Sequence, residues 1–295
     1  MPPHHEATIG HLDTFELPQQ VVGSQADREL GRQMVETWRR DGIFQVHVEA
    51  NDDIVVQEAF RRSRSFFQRP LEQKQGLVDD QSFSGYIASG EELTDGVADY
   101  SEIFTVTKDL PLSDSRVLQK WPCHGPCPWP DRLYEYAMKR LMTVYGAYGQ
   151  KLLELTALGL GLANPKTLTD LTEDGWHHMR ILRFPHVNKT NGKGKTGRGI
   201  GSHTDYGLLV LASQDEIGGL FVRPPRDDEK SRNWEKTSAG FRENDEGWTY
   251  VPPVDKVFTV FPGKSAGYAK SPKLMLKCRG HDAIFNGRLF AINTS

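Results

Sequence analysis

The hydrophobic period of this chain changes near Trp176. Ala137, Leu141, Val144, Tyr148, Leu152 and Leu155 step by three and four, which predicts one long helix with a single buried face. From Trp176 onward the step is two. In Met179–Phe184 (MRILRF), Arg180, Leu182 and Phe184 share one face of an extended segment, and Met179, Ile181 and Arg183 share the other. Gly207–Ser213 (GLLVLAS), Leu220–Arg223, Gly247–Val251 and Lys256–Phe261 read as further short strands, with Gly218-Gly219 as punctuation. Helices first and short strands afterwards predict an α+β chain whose β part is a sandwich or barrel.

Upstream, a helix is predicted from about Ser24 to Arg40, with Leu30, Met34 and Trp38 on one face and Gly42 as the stop. A strand, Ile43–Val48, follows. A second helix begins after Asp52 and Asp53 and ends before Pro70. Trp121–Pro130 (WPCHGPCPWP) and the charged stretch Arg226–Glu246 read as loops. The net charge of −3 leaves no basic surplus to neutralise phosphates, which argues against a nucleic-acid partner. The N-terminus lacks a charged region followed by an apolar run, no apolar stretch approaches a bilayer span, and three cysteines are too few for a disulfide framework. The expectation is a cytoplasmic, monomeric protein without membrane contact.

The sharpest local signal is Ile200–Gly207 (IGSHTDYG). His203 and Asp205 are two apart, so on an extended segment both side chains project to one side. An imidazole nitrogen beside a carboxylate oxygen suits a divalent metal of intermediate softness. The pair is two thirds of the facial triad of non-haem Fe(II) oxygenases. Alone, the spacing is a weak signal and better fits a surface turn with a local His–Asp hydrogen bond. Here glycines bracket it and an apolar strand follows. Two other candidates are weaker. His177 and His178 point to opposite faces of a strand, so both cannot easily serve one ion. Cys123, His124 and Cys127 could bind zinc, but no fourth ligand is evident and the proline-rich setting suits packed thiols.

Three stretches in order, Trp176–Pro185 (WHHMRILRFP), Gly199–Val210 (GIGSHTDYGLLV) and Gly218–Pro225 (GGLFVRPP), resemble the core of the isopenicillin N synthase-like dioxygenases. Ser84–Ala88 (SGYIA), Ser89–Thr94 (SGEELT), Glu102–Thr107 (EIFTVT), Trp121–Pro130 and Asp170–Trp176 (DLTEDGW) narrow the resemblance to the ethylene-forming enzymes, which use Fe(II), 2-oxoglutarate, O2 and L-arginine. The resemblance implies a double-stranded β-helix (jelly roll) with flanking helices. It implies that His203 and Asp205 bind iron, that Arg180 reaches into the cavity near 2-oxoglutarate, and that Phe184 forms part of the cavity wall. It places Glu92, Leu93 and Thr94 in a loop touching the arginine substrate, and Tyr206 near that substrate. A carboxylate facing a guanidinium is the expected chemistry, because the fork geometry allows paired, charge-assisted bonds. Without the resemblance, Arg180 or Arg183 would read as a sheet-edge cap, Glu92 as solvated surface, and Tyr206 and Phe184 as core. The implied layout is an N-terminal region at 10–125, a long helical support at 126–170 and a shortened jelly-roll core at 171–263. The implied reaction couples oxidative decarboxylation of 2-oxoglutarate to oxidation of a C–H bond, with a second route that fragments 2-oxoglutarate to ethylene and carbon dioxide. The alternatives are a 2-oxoglutarate-dependent hydroxylase of another small molecule and a catalytically dead product.

Past Val260–Gly263 (VFPG) the resemblance fails. The family would continue with an Asp, an apolar strand, a Ser-Thr-Pro-His carrying the third iron ligand, and an Arg for the distal carboxylate of 2-oxoglutarate. Residues 264–295 contain His281 and Arg288 without those flanks, so neither role is carried onto them. Gly263-Lys264-Ser265 can be coded GGT AAG TCN, which contains the intron start GTAAGT, and Cys278-Arg279 can be coded with a terminal CAG. In the shifted frame that follows, the code permits a strand ending Leu-Leu-Ser-Thr-Pro. Residues 264–295 are therefore expected to be an aberrant tail of unspliced intron and shifted exon. The C-terminal jelly-roll strands are then missing or replaced, sheet edges are open, iron binding is weak and activity is low.

Overall fold

The computed structural model describes residues 8–94, 97–175, 178–185, 199–201, 203, 205, 207–223 and 247–263, together with the backbone of 277–279 and 288–294; at Thr8, Thr94 and Val97 it describes the backbone alone. Two short strands, β1 (Thr8–Ile9) and β2 (Thr14–Phe15), precede α1 (Gln25–Asp41), β3 (Phe44–His47) and α2 (Ala50–Phe67). Then come β4 (Val78–Asp79), β5 (Ser84–Ile87), the hairpin of β6 (Leu93–Thr94) and β7 (Val97–Ala98), and β8 (Glu102–Val106). The helices α3 (Ser115–Leu118), α4 (Arg132–Gly159) and α5 (Thr167–Asp170) follow. The last strands are β9 (His178–Arg183), β10 (Leu209–Ser213), β11 (Leu220–Arg223), β12 (Thr249–Val251), β13 (Val257–Pro262), β14 (Lys277–Arg279) and β15 (Arg288–Thr294).

Local chemistry sets the helix ends. Ser24 and Asp27 form a reciprocal capping box, with the Asp27 amide donating to Ser24 Oγ at 3.1 Å and the Ser24 amide to Asp27 Oδ2 at 2.9 Å. Gly42 ends α1 at φ 77°, a left-handed conformation that a side chain would strain. Asp131 caps α4, accepting from the Tyr134 amide at 2.9 Å. Helices α1 and α4 cross at Gly31 and Gly159. A Cβ on Gly31 would stand 2.2 Å from the Leu155 carbonyl oxygen, so the backbones meet directly.

Nine strands form one sheet in the order β2-β3-β13-β10-β15-β9-β8-β5-β4, and β1-β12-β11-β14 form a second. Each face of the large sheet has its own core. On the outer face, Phe44, Phe104, Met179, Ile181, Leu209, Leu211, Phe258 and Val260 pack against Met34 and Trp38 of α1, Ala59 and Phe66 of α2, and Tyr145 and Leu152 of α4. On the inner face, Ile103, Leu182, Val210, Ala212 and Phe261 meet Leu220, Val222 and Val251 of the small sheet. The alternation read from MRILRF is therefore real, but both of its faces are buried. The architecture is α+β, two stacked sheets with helices against one of them.

The C-terminal part differs from the expectation of open sheet edges. Strand β15 lies between β9 and β10 and runs parallel to both, with Leu289 opposite His178 and Arg288 opposite Leu209. Strand β14 pairs antiparallel with β11. The backbone groups of β9 and β10 need partners once water is excluded, and an extended segment of almost any sequence can supply them. The tail thus replaces the expected strands rather than leaving a gap. Arg180 and Arg183 do not cap an edge, because β9 is interior to the sheet.

Candidate functional site

The inner face of β9 carries Arg180, Leu182 and then Phe184, and the loop that leads into β10 brings His203 and Asp205. His203 Nε2 lies 3.3 Å from Asp205 Oδ1, with side-chain exposures of 12% and 3%. The other ring nitrogen, Nδ1, bonds to the Gly201 carbonyl at 2.8 Å. A carbonyl only accepts, so this contact puts a proton on Nδ1 and leaves Nε2 as the nitrogen that can face a metal.

That geometry fits a metal. Bonds of about 2.0–2.2 Å meeting near a right angle place two donor atoms roughly 3 Å apart. A ligating histidine ordinarily donates its second nitrogen to a carbonyl or carboxylate, as His203 does to Gly201. The donor set, one imidazole and one carboxylate, suits Fe(II). Among the described residues, no group of three His, Cys, Asp or Glu side chains could hold an ion.

Arg180 is 3% exposed, and its Nη2 donates to both oxygens of Glu92, at 2.7 and 2.8 Å. Glu92 stands beside the β6–β7 hairpin and is 21% exposed. The two residues that sequence reading assigned to the co-substrate and substrate are thus in contact. Phe184 meets the edge of Tyr100, with ring centroids 6.1 Å apart at 83°. Gly199 sits against that ring, since a Cβ there would come within 2.8 Å of Phe184 Cδ1. Burial pushes the Tyr100 hydroxyl above its ordinary pKa. Leu93 is 62% exposed and so is not enclosed with the others. Tyr206 and the side chain of Thr94 lie outside the described residues, as do His177, His281 and the residues 224–246 read as part of a loop.

Asp99 is a residue that sequence reading missed. It is fully buried, and its Oδ1 accepts from the Gly201 amide at 3.1 Å. No motif surrounds it, and its value shows only when residues 99 and 201 come together. The buried pair Lys74 and Glu102, joined by the half-buried Arg183, was also missed. Lys74 Nζ donates to Glu102 Oε1 at 2.7 Å and to the Phe67 carbonyl at 2.8 Å, while Arg183 Nη1 donates to Glu102 Oε2 at 2.7 Å. These groups lie on the outer face of β9. The zinc alternative finds no support: half-buried His124 bonds to the Pro122 carbonyl at 2.8 Å, and the Cys127 thiol packs beside Thr107. Burial pushes the Cys127 thiol up.

Comparison with known proteins places this geometry in context. Residues 12–132 match the family described as "non-haem dioxygenase in morphine synthesis N-terminal". The chain is 50% identical over 255 residues to the 2-oxoglutarate-dependent ethylene/succinate-forming enzyme of Ralstonia nicotianae, covering 85% of this chain and 73% of that one. It is 28% identical over 194 residues to a homoarginine-6-hydroxylase of Arabidopsis thaliana, covering 64% of this chain and 58% of the relative. In fold it is similar to the crystal structure of a 2OG-Fe(II) oxygenase family protein from Caulobacter crescentus, with a TM-score of 0.68 and 18% identity, covering 91% of this chain and 80% of that one.

Proposed function

The chain belongs to the 2-oxoglutarate- and Fe(II)-dependent dioxygenases, and on that premise we propose that it is of the ethylene- and succinate-forming type, with L-arginine as co-substrate. The observation that carries the type is the 50% identity to the Ralstonia nicotianae ethylene/succinate-forming enzyme over 255 residues. The choice of arginine is supported by Glu92, whose two oxygens already hold a guanidinium nitrogen at 2.7 and 2.8 Å. A carboxylate presented this way, at the rim of a buried site, matches a planar cation of the same shape.

In this reading His203 and Asp205 hold the iron from one side. Iron, when bound with 2-oxoglutarate and O2, supplies the oxidation that decarboxylates the co-substrate and attacks a C–H bond. The protein's own part is placement and exclusion. Arg180 leaves Glu92 to the incoming guanidinium and turns its own charge to a carboxylate of 2-oxoglutarate. The Phe184–Tyr100 pair walls the cavity and keeps water out. Tyr206 follows Asp205 directly in the chain and contributes to the substrate side.

Residues 264–295 supply neither the third ligand nor the distal arginine in this reading, so the chain as written turns over slowly. The test uses two proteins: this chain, and one continued after Gly263 in the shifted frame read from the genomic DNA. Each is given Fe(II), 2-oxoglutarate and L-arginine, and headspace ethylene, succinate and bound iron are measured. The expected result is ethylene from the second protein and substoichiometric iron in the first. Full turnover with one iron per chain in the first overturns the reading of the tail. Succinate with a hydroxylated guanidino product and no ethylene favours a second reading, a guanidino-amino-acid hydroxylase, which the 28% identity to a homoarginine-6-hydroxylase supports.

A further inference from the structure

We propose that Asp99 is a positioning residue, which ties the Glu92 hairpin to the loop of His203 and fixes the pose of that imidazole. Gly199 and Gly201 flank Ile200 just before His203, and glycine pairs leave a backbone free to wander unless something holds it. Both are held from one dipeptide, Asp99-Tyr100. The Asp99 carboxylate accepts the Gly201 amide at 3.1 Å, and the Tyr100 ring meets the Phe184 ring against which Gly199 is packed.

The dipeptide is itself fixed to the hairpin. The Asp99 amide donates to the Glu92 carbonyl at 3.0 Å, the Gly90 amide donates to the Asp99 carbonyl at 2.7 Å, and Ser89 Oγ donates to the Tyr100 carbonyl at 2.7 Å. From Gly201 the chain of contacts continues. Its carbonyl accepts from His203 Nδ1 at 2.8 Å, and His203 Nε2 faces Asp205. A continuous path of short polar contacts thus runs from Glu92 through Asp99 and Gly201 to His203. A buried carboxylate is costly unless it does something that a neutral side chain cannot, and here it makes a charge-assisted bond to a backbone amide. With Gly201 anchored, its carbonyl is directed at Nδ1–H, and that turns Nε2 toward Asp205.

The relevance to iron rests on the reading of His203 and Asp205 as ligands; the anchoring does not. The test uses the full 295-residue chain without metal, labelled with nitrogen-15 at glycine and histidine. In the parent protein, the His203 Nδ1 proton is expected to be hydrogen-bonded and visible, and the Gly201 amide to exchange slowly. In Asp99→Ala, Gly201 exchange should quicken at least tenfold and the Nδ1 proton should be lost to exchange. In Asp99→Asn, whose amide oxygen still accepts, exchange should quicken only a few-fold and the Nδ1 proton should persist. A merely structural role would lower the melting temperature of both variants and leave the Nδ1 proton unmoved. Unchanged Gly201 exchange and an unchanged Nδ1 proton in Asp99→Ala overturn the proposal. If that variant does not fold, unchanged exchange in Asp99→Asn overturns it equally. A Co(II) titration then separates the two readings. Affinity about ten- to a hundredfold weaker in Asp99→Ala, and near normal in Asp99→Asn, agrees with loss of an outer support to a ligand. Equal Co(II) affinity in the parent and Asp99→Ala sinks the proposal and spares the metal site. No Co(II) binding in any variant sinks the metal site and leaves the Nδ1 proton to decide on Asp99.

Discussion

Arg180 and Arg183 stand three residues apart on the same strand, and each is held by a glutamate, yet the two pairs do different work. Odd spacing on a strand puts them on opposite faces. Arg183 faces the helices. Its partner Glu102 is fully buried, and also takes a bond from the fully buried Lys74 and from the Tyr86 hydroxyl. The Phe67 carbonyl at the end of α2 accepts from both cations. Glu102 and Lys74 are sealed, Arg183 is 22% exposed at the margin, and together they stitch α2 to β8 and β9. Arg180 faces the interior between the sheets, and its partner sits at the rim beside a two-residue hairpin, with a fifth of its side chain open to water. A charge whose partners are all interior has nothing to exchange with. A buried guanidinium matched to a carboxylate at an opening can be displaced by another guanidinium. The lesson is that sequence proximity and identical chemistry do not make two ion pairs equivalent; the exposure of the partner separates structure from function.

The sharpest way to test this contrast is to break the network around Glu102. Glu102→Ala leaves Lys74 and Arg183 near each other without an anion. Removing one partner of a buried ion pair costs about 3–5 kcal/mol. We expect a loss of that size in urea unfolding. A loss below about 1 kcal/mol, the range of an exposed pair, would mean that the network is not the lock described here. Acid should act the same way, more gradually. Burial by itself raises the Glu102 pKa, but the bonds from Lys74 and Tyr86 and the nearby Arg183 charge outweigh it and hold the carboxyl below its ordinary value. A depressed folded pKa adds stability above the unfolded value of about 4.3. That stability is lost as pH falls through the folded pKa. The stability gap between the parent and Glu102→Gln should therefore hold steady from neutral pH to about 5 and narrow below about 4.

Breaking the other pair should move binding more than stability. Glu92→Gln keeps the shape of the side chain and removes its charge. A hydrogen bond to a charged group is worth about 1.5–3 kcal/mol, or roughly ten- to a hundredfold in affinity. We expect calorimetry to record a loss of that order for L-arginine, with a urea midpoint shifted far less than in Glu102→Ala. If instead Glu92→Gln destabilises the fold as strongly as Glu102→Ala, the pair at the rim is a second structural bridge and the comparison fails.

What could be read beforehand follows the same division. The helix α1 was legible because its cap, its apolar face and its terminal glycine are all local; it runs Gln25–Asp41 with Ser24 and Gly42 as predicted ends. The strand β9 was legible from its alternation, and α4 buries all six of the residues picked for its face. The pair at 203 and 205 was legible because two residues at one spacing carry the chemistry. The strands β5 and β8 were quoted as motifs but not foreseen as strands, since β8 is buried on both faces and shows no alternation of polarity. Asp99, Lys74 and Glu102 were invisible for a related reason. Each is defined by a partner more than twenty residues away, and a lone charged residue in sequence gives no hint of burial. The placement of β15 was equally hidden, because parallel pairing with two strands follows from their unmet backbone groups rather than from anything in residues 288–294.

The smallest expected effect sharpens the contrast between the two faces of β9. A methyl group at Gly199 would lie 2.8 and 2.9 Å from two ring carbons of Phe184, so the ring must give way. Phe184 is only partly buried, so it has somewhere to go; a ring in the outer core, such as Phe104, has none. Overpacking a filled core costs about 1–3 kcal/mol. For Gly199→Ala we expect the low end, about 1 kcal/mol in urea unfolding, because the displaced ring can swing into the open side. The same swing narrows the space beside Arg180, so the KM for 2-oxoglutarate should rise while the Gly201 and His203 signals stay in place. A cost above about 3 kcal/mol would show that the inner face is packed as tightly as the outer one. The opening that makes Arg180 exchangeable would then not exist.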